Sequence, residues 1–549
     1  MREAAYAAAT TASASALTQP ELAPERLEQA AAAVRTGSLR LRPRIEAPAG
    51  ACVYVRRSAI DLIGSAGGDF EARCVERGLA HVLADDVLVF APAPATPLRH
   101  QPSPPEARAT AAARRALRGV SATIDARILY GPTTGTHVHV LELIAALART
   151  EQVHLTAILP DQPSEDALSR LRAVPRLTLV TYRDAPRTDS ADIVHRPFQL
   201  SNAGDLGFLQ ALGDRVILTQ QDLIAFHNPA YFPATAAWQD YRGLTRLSLA
   251  TADRVLFFSD HVRDDALAEE LVDRDRASVV HLGVDHPSAS TDAAPPAAAD
   301  AIQSRPYLLC LGTDFLHKNR PFALRLLSAL VGRGTDVGLV LAGPSVAHGS
   351  SRSEEARFLA AHPELAGRVR DLGPVAEAEK RWLYDHAALV VYPSVVEGFG
   401  LVPFEAAAHR VACLWASGSS LSELLPDEAA GIVAWDEQRT AENALALMRA
   451  GDARERNLNA IGAAAAGLTW DATAQRMIEV YRETAAAPAR PRSAGGMVLS
   501  EDAARLVGPG GELPADVHRP LLALATRPKI ARPVYAALKL GYRLRHRRR

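Results

Sequence analysis

The feature that most constrains this chain is a repeated alternation of short apolar runs with longer amphipathic segments in its central part. The first run is ARILYG (126–131), and the helix-like segment HVLELIAALART follows it. Later runs include VHLTAILP, LTLVTY, ADIVH, RVILTQ, ADRVLFFS, YLLCLG, VGLVLAG, ALVVYPS and ACLWA. Runs that are almost continuously apolar are typical of strands buried on both faces, and strand–helix alternation predicts parallel, doubly wound α/β sheets.

Stretches rich in proline and alanine indicate where the domains begin and end. The resulting segments are an N-terminal piece (1–90), a linker (91–120), a first Rossmann-like lobe (121–285), an inter-lobe linker (286–304), a second lobe with a final crossover helix (305–485), and a linker with a basic tail (486–549). Ligands of doubly wound sheets bind at the carboxyl ends of the strands. We therefore expect a ligand site in the cleft between the two lobes.

Charge and cysteine content argue against a nucleic-acid-binding protein and against a protein with a cysteine-ligated metal site. Lysine and arginine number 61 and aspartate and glutamate 62, whereas nucleic-acid binders have a basic surplus. The cysteines (Cys52, Cys74, Cys310 and Cys413) are scattered, without the paired spacing of a metal site. No N-terminal signal pattern and no run of about 18 apolar residues occurs. We expect a cytoplasmic protein with reduced core cysteines that does not bind nucleic acid.

The segment EGFGLVPFE (397–405) carries two glutamates that bracket an apolar stretch. Glu397 lies in the loop after the strand ALVVYPS, and Pro403 suits the first turn of a helix that then holds Glu405. Gly398 and Gly400 allow the backbone N–H groups to approach a ligand closely. Because a carboxylate can accept hydrogen bonds from a vicinal diol, the pair predicts a sugar clamp. The alternative is a capping glutamate beside a solvated loop glutamate.

A lysine follows the first strand of the second lobe, in the loop TDFLHKN. Lys318 stands just before a helix pattern, with Asn319 as its cap. A lysine at a helix N-terminus favours an anion site. A surface lysine at the start of a helix fits the same pattern equally well.

EGFGLVPFE resembles the E-x7-E motif of family 4 glycosyltransferases, which are retaining enzymes of the group 1 type with the GT-B fold. The resemblance extends over roughly 121–485 and keeps the order of the family's motifs. These are TIDARILYGPTTGTHVHVLELIAAL, ADIVHRP, ILTQQDLIAFHNP, ADRVLFFSDHVRDD, ASVVHLGVD, LGTDFLHKN, LVLAGP and VRDLGPVAEAEKRWLYDHAALVVYPS. The resemblance implies two Rossmann-like lobes that face a cleft.

The resemblance also implies distinct roles for three charged residues. Glu397 resembles the glutamate that positions the donor sugar near its anomeric carbon, and Glu405 the one that binds the ribose hydroxyls. Lys318 resembles the lysine that neutralises the donor diphosphate. The implied donor is a nucleotide diphosphate sugar. No DxD motif is evident in the lobes, and we expect neither a metal nor a cofactor.

Backbone groups and small residues have implied roles as well. The amides of Gly398, Phe399 and Gly400 would line the sugar pocket. Val375 resembles residues that contact the nucleotide base through backbone atoms. Gly135 resembles the loop glycine that faces the phosphates, where a side chain would block the nucleotide.

Two positions depart from the family pattern. Many members have an arginine shortly before the lysine, whereas Thr313, Asp314 and His317 occupy that loop here. His317 is either a partial replacement or a structural histidine. Gln221 stands where many members have a histidine near the reaction centre, and it can bind a sugar hydroxyl but cannot carry a proton. His137 either faces the acceptor or lies on a helix surface.

These residues favour a retaining glycosyltransferase of cell-surface polysaccharide or glycolipid synthesis, with a glycan or lipid-linked acceptor. Gln221 and the absent arginine support a second hypothesis, in which the protein is a non-catalytic partner that binds nucleotide-sugars or glycans within a glycosyltransferase assembly. A third reading is a GT-B enzyme of another kind, such as an epimerase or a phosphorylase.

The two ends of the chain raise separate hypotheses. The segment AGACVYVRRSAIDLIGSAGGDFEARCVERGLAHVLADDVLVF (49–90) resembles the C-terminal part of a family 2 glycosyltransferase without its nucleotide-binding half. The resemblance predicts a truncated remnant, a mis-set start codon or a docking module. The tail 527–549 is strongly basic and has Val534, Leu538 and Tyr542 at helical spacing. Such a segment either contacts the inner face of an anionic membrane peripherally or is a solvated terminus.

Overall fold

The computed structural model describes two long parts of the chain and several short ones. The long parts are residues 119–285, except 132 and 189, and residues 293–488. The short ones are residues 11–19, 44–45, 53–55, 80–90 and 115, with a few positions between 59 and 74. The basic tail at 527–549, and most of the predicted linkers at 91–120 and 486–549, lie outside the described residues.

The chain divides into two compact units, and the first of them contains a small sheet. Its strands are β1 (Thr11–Gln19), β2 (Arg44–Ile45), β3 (Val53–Val55) and β4 (Ala80–Phe90). The strand order is β2-β4-β1-β3, with β1 parallel to β4 and antiparallel to β3. The resemblance of this region to a family 2 glycosyltransferase stays a prediction.

The second unit begins with a seven-stranded sheet, which we call the first lobe. Its strands are β5 (Val120–Asp125), β6 (Val153–Leu159), β7 (Thr178–Thr181), β8 (Ala191–Arg196), β9 (Gly213–Thr219), β10 (Arg254–Phe257) and β11 (Ala277–Val279). The order is β11-β10-β9-β8-β5-β6-β7. The pairs β5–β8, β8–β9, β9–β10, β10–β11 and β6–β7 are parallel.

A six-stranded parallel sheet forms what we call the second lobe. Its strands are β12 (Tyr307–Leu311), β13 (Gly338–Ala342), β14 (Val369–Asp371), β15 (Leu389–Tyr392), β16 (Cys413–Ala416) and β17 (Gly431–Ile432). The order is β14-β13-β12-β15-β16-β17, and every adjacent pair is parallel. The predicted α/β class, with two doubly wound Rossmann-like sheets as in the GT-B fold, is confirmed.

Helices connect the strands of both lobes. In the first lobe they are α1 (Gly135–Arg149), α2 (Glu165–Arg172), α3 (Ala203–Leu212), α4 (Ile224–His227), α5 (Thr235–Thr251) and α6 (Asp260–Ala268). In the second lobe they are α7 (Ala299–Gln303), α8 (Arg320–Gly332), α9 (Arg352–Ala361), α10 (Glu377–His386), α11 (Val402–Ala408), α12 (Ser419–Leu424), α13 (Glu437–Met448) and α14 (Asp452–Ala465). A last helix, α15 (Trp470–Ala486), returns to the first lobe, where Tyr481 bonds to His195 over 2.8 Å.

The prediction of ARILYG (126–131) as the first strand is wrong, because that strand ends earlier, at Asp125. The reason is a cluster of buried charges at its carboxyl end. Arg127 folds back to bond Asp125 over 2.8 Å and also pairs with Asp205 over 2.9 Å. Arg196, from the end of β8, pairs with both aspartates over 3.0 and 2.9 Å. Satisfying these charges forces the chain to turn, so residues 126–131 form a loop.

The contact between α1 and α15 contains a buried imidazole without a partner. His139 is 4% exposed, and neither of its ring nitrogens has a hydrogen-bond partner in the described structure. Its ring packs against Phe258 and Trp470, with centroid distances of 4.8 and 6.0 Å. Burial lowers the pKa of His139 to about 3, so the ring is neutral in the folded protein.

Replacing this imidazole should therefore stabilise the protein. The folded chain takes up the His139 proton only near pH 3, whereas an unfolded chain takes it up near 6.5. The free energy of unfolding therefore does not depend on this group above pH 6.5. Below pH 6.5 it decreases by about 1.4 kcal/mol per pH unit until the pH reaches about 3. We expect His139→Leu to raise the free energy of unfolding at pH 7 by about 1–3 kcal/mol and to weaken its acid dependence.

Urea unfolding at pH 7 and pH 4 checks this expectation. His154→Leu, at an exposed position, is the control for the change from histidine to leucine. Burial also lowers the pKa of His195 to about 3, so the His139→Leu variant retains the acid dependence that His195 contributes. A loss of stability in His139→Leu at pH 7 would show that this imidazole has a partner that matters.

Candidate active site

Both large sheets reverse their strand order once, and the predicted site residues follow the strands at these reversals. In the first lobe the reversal lies between β5 and β8, and in the second between β12 and β15. Helices leave such neighbouring strands toward opposite faces, which opens a crevice at their carboxyl ends. Gly135 follows β5, Lys318 follows β12 and Glu397 follows β15, so each stands at a crevice.

The centre of the second crevice is an ion pair between two of the predicted donor-binding residues. The Lys318 Nζ lies 2.6 Å from the Glu397 Oε1, and the two side chains are 19% and 9% exposed. The same Nζ donates to the Tyr392 Oη over 3.3 Å. The two groups that the sequence assigns to different parts of one ligand therefore neutralise each other here.

The charge of Glu397 depends on this pairing. Burial alone would raise the pKa of its carboxyl, but the Lys318 ammonium lowers the pKa below its ordinary value of 4.5. Serines from α12 hold the surrounding loop, because the Glu397 N–H donates to the Ser419 Oγ over 3.1 Å and the Ser420 Oγ donates to the Glu397 carbonyl over 3.0 Å. The carboxylate is ionised and fixed in position.

The glycines of this loop are needed for close packing. A Cβ on Gly398 would lie 2.1 Å from the Gln221 carbonyl oxygen of the first lobe. Gly400 has a φ of +92°, and a Cβ there would lie 2.6 Å from the Leu421 Cδ2. Phe399 between them is buried, and its carbonyl accepts from the Ser420 Oγ over 3.0 Å. The approach of the first lobe to Gly398 is a reason for glycine that the sequence did not reveal.

Gln221 connects the first lobe's strand ends to one another. Its Oε1 accepts from the Thr136 Oγ1 over 3.2 Å, and its Nε2 donates to the Pro197 carbonyl over 3.2 Å. Thr136 is the neighbour of Gly135, which begins α1 and has open space around its Cβ position. The structure thus brings Gln221, the Gly135 turn and the Gly398 loop together, with both ends of the amide used.

His317 is a neutral side chain that contacts the first lobe. Its Nδ1 lies 2.8 Å from the Tyr231 Oη, which also accepts the His317 backbone N–H over 3.1 Å. Burial and the neighbouring Lys318 lower the pKa of His317 to about 4. A neutral imidazole cannot replace the positive charge of the family's arginine, so this contact favours the structural alternative.

The other residues of that loop also serve its folding. Asp314 accepts from the Val346 N–H, the Ser345 and Ser350 hydroxyls and the Arg352 Nε, each over 2.9 Å. Burial would raise the pKa of Asp314, but these hydrogen bonds lower it. The network orders the loop that presents Lys318.

Glu405 lies in the first turn of α11, and two side chains of α10 hold it. The Tyr384 Oη donates to its Oε2 over 2.7 Å, and the Lys380 Nζ donates to its Oε1 over 3.2 Å. Burial alone would lower the pKa of Lys380, but the Glu405 and Glu377 carboxylates raise it. Val375 is half-buried in the loop before α10. Glu405 is therefore a preorganised carboxylate, as a diol ligand requires.

His137 is buried at 6% exposure, so its placement on a helix surface is wrong. Its Nδ1 lies 2.7 Å from the Thr134 Oγ1, and its Nε2 lies 3.0 Å from the Tyr130 carbonyl oxygen. The ring caps the start of α1, because both of its nitrogens bond to groups of the preceding loop, three and seven residues earlier in the chain. Its role toward an acceptor stays a prediction.

Several residues of the site carry no signal in the sequence. Tyr392, Tyr384, Tyr231 and the Ser419–Ser420 pair contact predicted site residues but come from other strands and helices. Tyr392 and the Ser419–Ser420 pair lie at or shortly after strand ends, and only that position could have suggested them. Within the described residues no group of three or more metal-ligating side chains occurs, and no helix is long and apolar enough to cross a membrane.

The Lys318–Glu397 pair should show strong energetic coupling. Lys318→Met leaves a buried carboxylate unpaired, which costs about 3 kcal/mol or more of stability, whereas Lys318→Met with Glu397→Gln should cost less than the single change. A double-mutant cycle by urea unfolding at pH 7 measures the coupling, and the exposed Arg333–Glu442 pair is the control, expected to couple by less than about 1 kcal/mol. Additive effects at Lys318 and Glu397 would contradict a paired, buried site.

Comparison with known proteins finds similarity to glycosyltransferases. Residues 297–461 match the family model described as Glycosyl transferases group 1. The D-inositol 3-phosphate glycosyltransferase of Nocardia farcinica (strain IFM 10152) is 31% identical over 303 residues, which cover 53% of this chain and 66% of that protein. The lipopolysaccharide core biosynthesis mannosyltransferase LpcC of Rhizobium leguminosarum bv. viciae is 29% identical over 210 residues, covering 34% and 58%. The chain thus spans roughly three fifths to two thirds of these two curated relatives.

A solved structure, an alpha,alpha-trehalose-phosphate synthase (UDP-forming) from Burkholderia xenovorans, has a TM-score of 0.49 at 12% identity, covering 66% of this chain and 100% of that chain. That likeness has no bearing on substrates. The family match lies on the lobe that holds Lys318, Glu397 and Glu405. Residues 297–461 of the second lobe therefore match the group 1 glycosyltransferase family, which supports the prediction of a transferase enzyme.

Proposed function

We propose that this protein transfers a sugar, with retention of anomeric configuration, from a nucleotide diphosphate sugar to a glycan or lipid-linked acceptor. The observation that carries the proposal is the Lys318–Glu397 pair at the strand reversal of the second lobe. Lys318 is half-buried and Glu397 is buried, and each can exchange the other for a part of one ligand. A nucleotide diphosphate sugar offers both parts.

Donor binding would separate the pair. The diphosphate brings at least two negative charges toward Lys318, which leaves Glu397 for them. Glu397 then accepts hydrogen bonds from the donor sugar, and the fixed loop of residues 398–400 supplies backbone amides. Because both groups are already in place and charged, little reorganisation is needed when the bond breaks.

The chemical step follows from these charges. The bond between the anomeric carbon and the diphosphate oxygen breaks, and its electron pair leaves with the diphosphate, which Lys318 stabilises. The acceptor hydroxyl oxygen bonds to the anomeric carbon on the face that the diphosphate leaves, which gives retention. Its proton passes to the departing diphosphate, so Gln221 need not carry one. No metal or cofactor enters this step.

Glu405 and Val375 extend the proposed donor site away from the reaction centre. Glu405, held by Tyr384 and Lys380, is suited to accept hydrogen bonds from the two ribose hydroxyls. Val375 precedes the helix that carries those two residues, and its backbone would contact the base. Gly135 leaves room for the phosphates on the opposite side.

Names of the relatives support the classes of acceptor. One acts, by its name, on D-inositol 3-phosphate and another in lipopolysaccharide core synthesis. A polyol or glycan acceptor in cell-surface polysaccharide or glycolipid synthesis is consistent with both.

A second candidate is a non-catalytic protein that binds nucleotide-sugars or glycans. Gln221 favours it, because an amide cannot carry a proton and both of its ends are already bonded. The two candidates differ in turnover, since only the enzyme hydrolyses or transfers the sugar that it binds.

A thermal-shift screen of GDP-, UDP-, dTDP- and ADP-sugars identifies the donor, because ligand binding raises the melting temperature by mass action. With that donor, Glu397→Gln and Lys318→Met should each lower the turnover of donor hydrolysis or transfer by roughly 10²–10³-fold. The exposed Glu442→Gln, on the outer helix α13, should keep the wild-type rate. A wild-type protein that binds a nucleotide-sugar without hydrolysing or transferring it is the outcome expected of the second candidate.

We further propose a cytoplasmic location with peripheral contact between the 527–549 tail and the inner face of the membrane. Deleting residues 527–549 should then reduce binding to anionic phosphatidylserine vesicles, with a steep dependence on salt. Zwitterionic vesicles are the control. If the full-length protein and the protein without residues 527–549 sediment equally with anionic vesicles, the membrane contact is contradicted.

A further inference from the structure

The short helix α12 (Ser419–Leu424) holds the loop that carries Glu397. The Ser419 Oγ accepts the Glu397 N–H over 3.1 Å. The Ser420 Oγ is completely buried and shares its hydrogen between the carbonyl oxygens of Glu397 and Phe399, each 3.0 Å away. Two neighbouring residues of α12 therefore fix the backbone on which the Glu397 carboxylate is mounted.

The same helix reaches the first lobe through the side chain of Glu423. Its Oε2 accepts the His261 N–H over 3.0 Å, and its Oε1 lies 2.9 Å from the His281 Nε2. His261 lies in the first turn of α6, where backbone N–H groups have no partner within the helix. The Glu423 side chain is 19% exposed, so little of it faces water. We call Glu423 and its bonds to His261 and His281 the interlobe tie.

Glu423 is ionised in this position. Burial alone would raise the pKa of its carboxyl, but the hydrogen bonds from His281 and from the N–H groups of Asp260 and His261 lower the pKa below its ordinary value of 4.5. A negative charge is also the charge that the N-terminal end of a helix favours. The carboxylate of one lobe thus caps a helix of the other lobe.

The first lobe also contacts the Glu397 loop directly, beside the interlobe tie. Ser259, the N-cap residue of α6, donates from its Oγ to the Gly398 carbonyl over 2.9 Å. The rings of His281 and Phe399 lie with their centroids 6.1 Å apart. The loop is therefore placed between α12 and the first lobe, and the interlobe tie joins these two supports to each other.

We propose that Glu423 is a positioning residue for the transfer reaction, which joins α12 to the first lobe and so holds the Glu397 carboxylate where the donor sugar binds. The inference rests on the proposed transfer from a nucleotide diphosphate sugar. Glu423 acts through Ser419 and Ser420 and is not itself a donor-binding group. Small displacements of a positioned group are enough to slow a reaction, because the reacting atoms must meet in a narrow range of geometry.

The proposed diphosphate, ribose and base contacts do not depend on α12. Lys318 follows β12, Glu405 lies in α11, and Val375 lies in the loop before α10. A nucleoside diphosphate without a sugar needs these three residues and not Glu397. Loss of the interlobe tie should therefore slow the step that uses the donor sugar and leave the binding of the nucleoside diphosphate unchanged.

Glu423→Ala tests this separation, with the donor that the thermal-shift screen identifies. The variant should lower kcat for donor hydrolysis or transfer by roughly 10-fold, the effect expected when hydrogen bonds that fix a catalytic loop are lost. The rise in melting temperature caused by the matching nucleoside diphosphate should equal that of the wild type. This second measurement also reports that the variant is folded.

A conservative variant and a matched control accompany this measurement. Glu423→Gln should keep kcat within about threefold of the wild type, because the amide oxygen can accept the His261 N–H while the amide N–H donates to the His281 Nε2 in its other tautomer. Glu428→Ala removes an exposed glutamate shortly after α12 and should have the wild-type kcat.

A kinetic double-mutant cycle tests whether Glu423 acts through Glu397. If it does, the double variant Glu423→Ala with Glu397→Gln should be no slower than Glu397→Gln alone, because the group that the interlobe tie positions is already absent. A residue that only supports the fold would instead slow both backgrounds by the same factor.

Four results would overturn the positioning role while leaving the proposed function intact. The first is a kcat of Glu423→Ala equal to that of Glu428→Ala. The second is a double variant slower than Glu397→Gln by the full factor of Glu423→Ala. The third is loss of the nucleoside diphosphate thermal shift in Glu423→Ala, and the fourth is a Glu423→Gln variant as slow as Glu423→Ala. A wild type that neither binds nor hydrolyses any nucleotide-sugar would instead overturn the proposed function, and the positioning role with it.

Discussion

Charge pairs across the two strand reversals are the interactions on which the rest of the site depends. A reversal separates the loops that follow two neighbouring strands, because their helices leave toward opposite faces of the sheet. In the first lobe Arg196 bridges this gap to Asp125, and in the second lobe Lys318 bridges it to Glu397. Each pair joins the carboxyl ends of two adjacent strands, or the loops that follow them, and so fixes the position of those loops.

The charge groups of the two lobes differ in whether a ligand can reach them. In the first lobe two arginines face two aspartates, all of them buried, so the cluster is neutral and closed. Such a cluster is suited to holding the β5 and β8 ends. In the second lobe one lysine meets one carboxylate next to an open cavity. That pair can be opened by a ligand that offers each group a better partner, which is the property the proposed mechanism uses.

Much of the fold could be predicted from local patterns, and less of the site. The apolar runs predicted most strands of both sheets, because a strand buried on both faces must be apolar throughout. The first strand was misplaced, since Ala126, Ile128 and Leu129 look like strand residues while the turn is imposed by Arg127 pairing with Asp205 from a distant helix. The short strands β14 and β17, with three and two residues, carry too little pattern to be recognised.

The sequence by itself determined the class of fold, the group 1 motif order and the candidates Lys318, Glu397 and Glu405, because strand ends and glycine-flanked carboxylates are local features. Only the tertiary structure decided which of these groups meet. It pairs Lys318 with Glu397, brings Tyr384 and Lys380 to Glu405, and makes His317 neutral. Charge and protonation depend on burial and on partners far away in the chain, and these exist only once the lobes have folded.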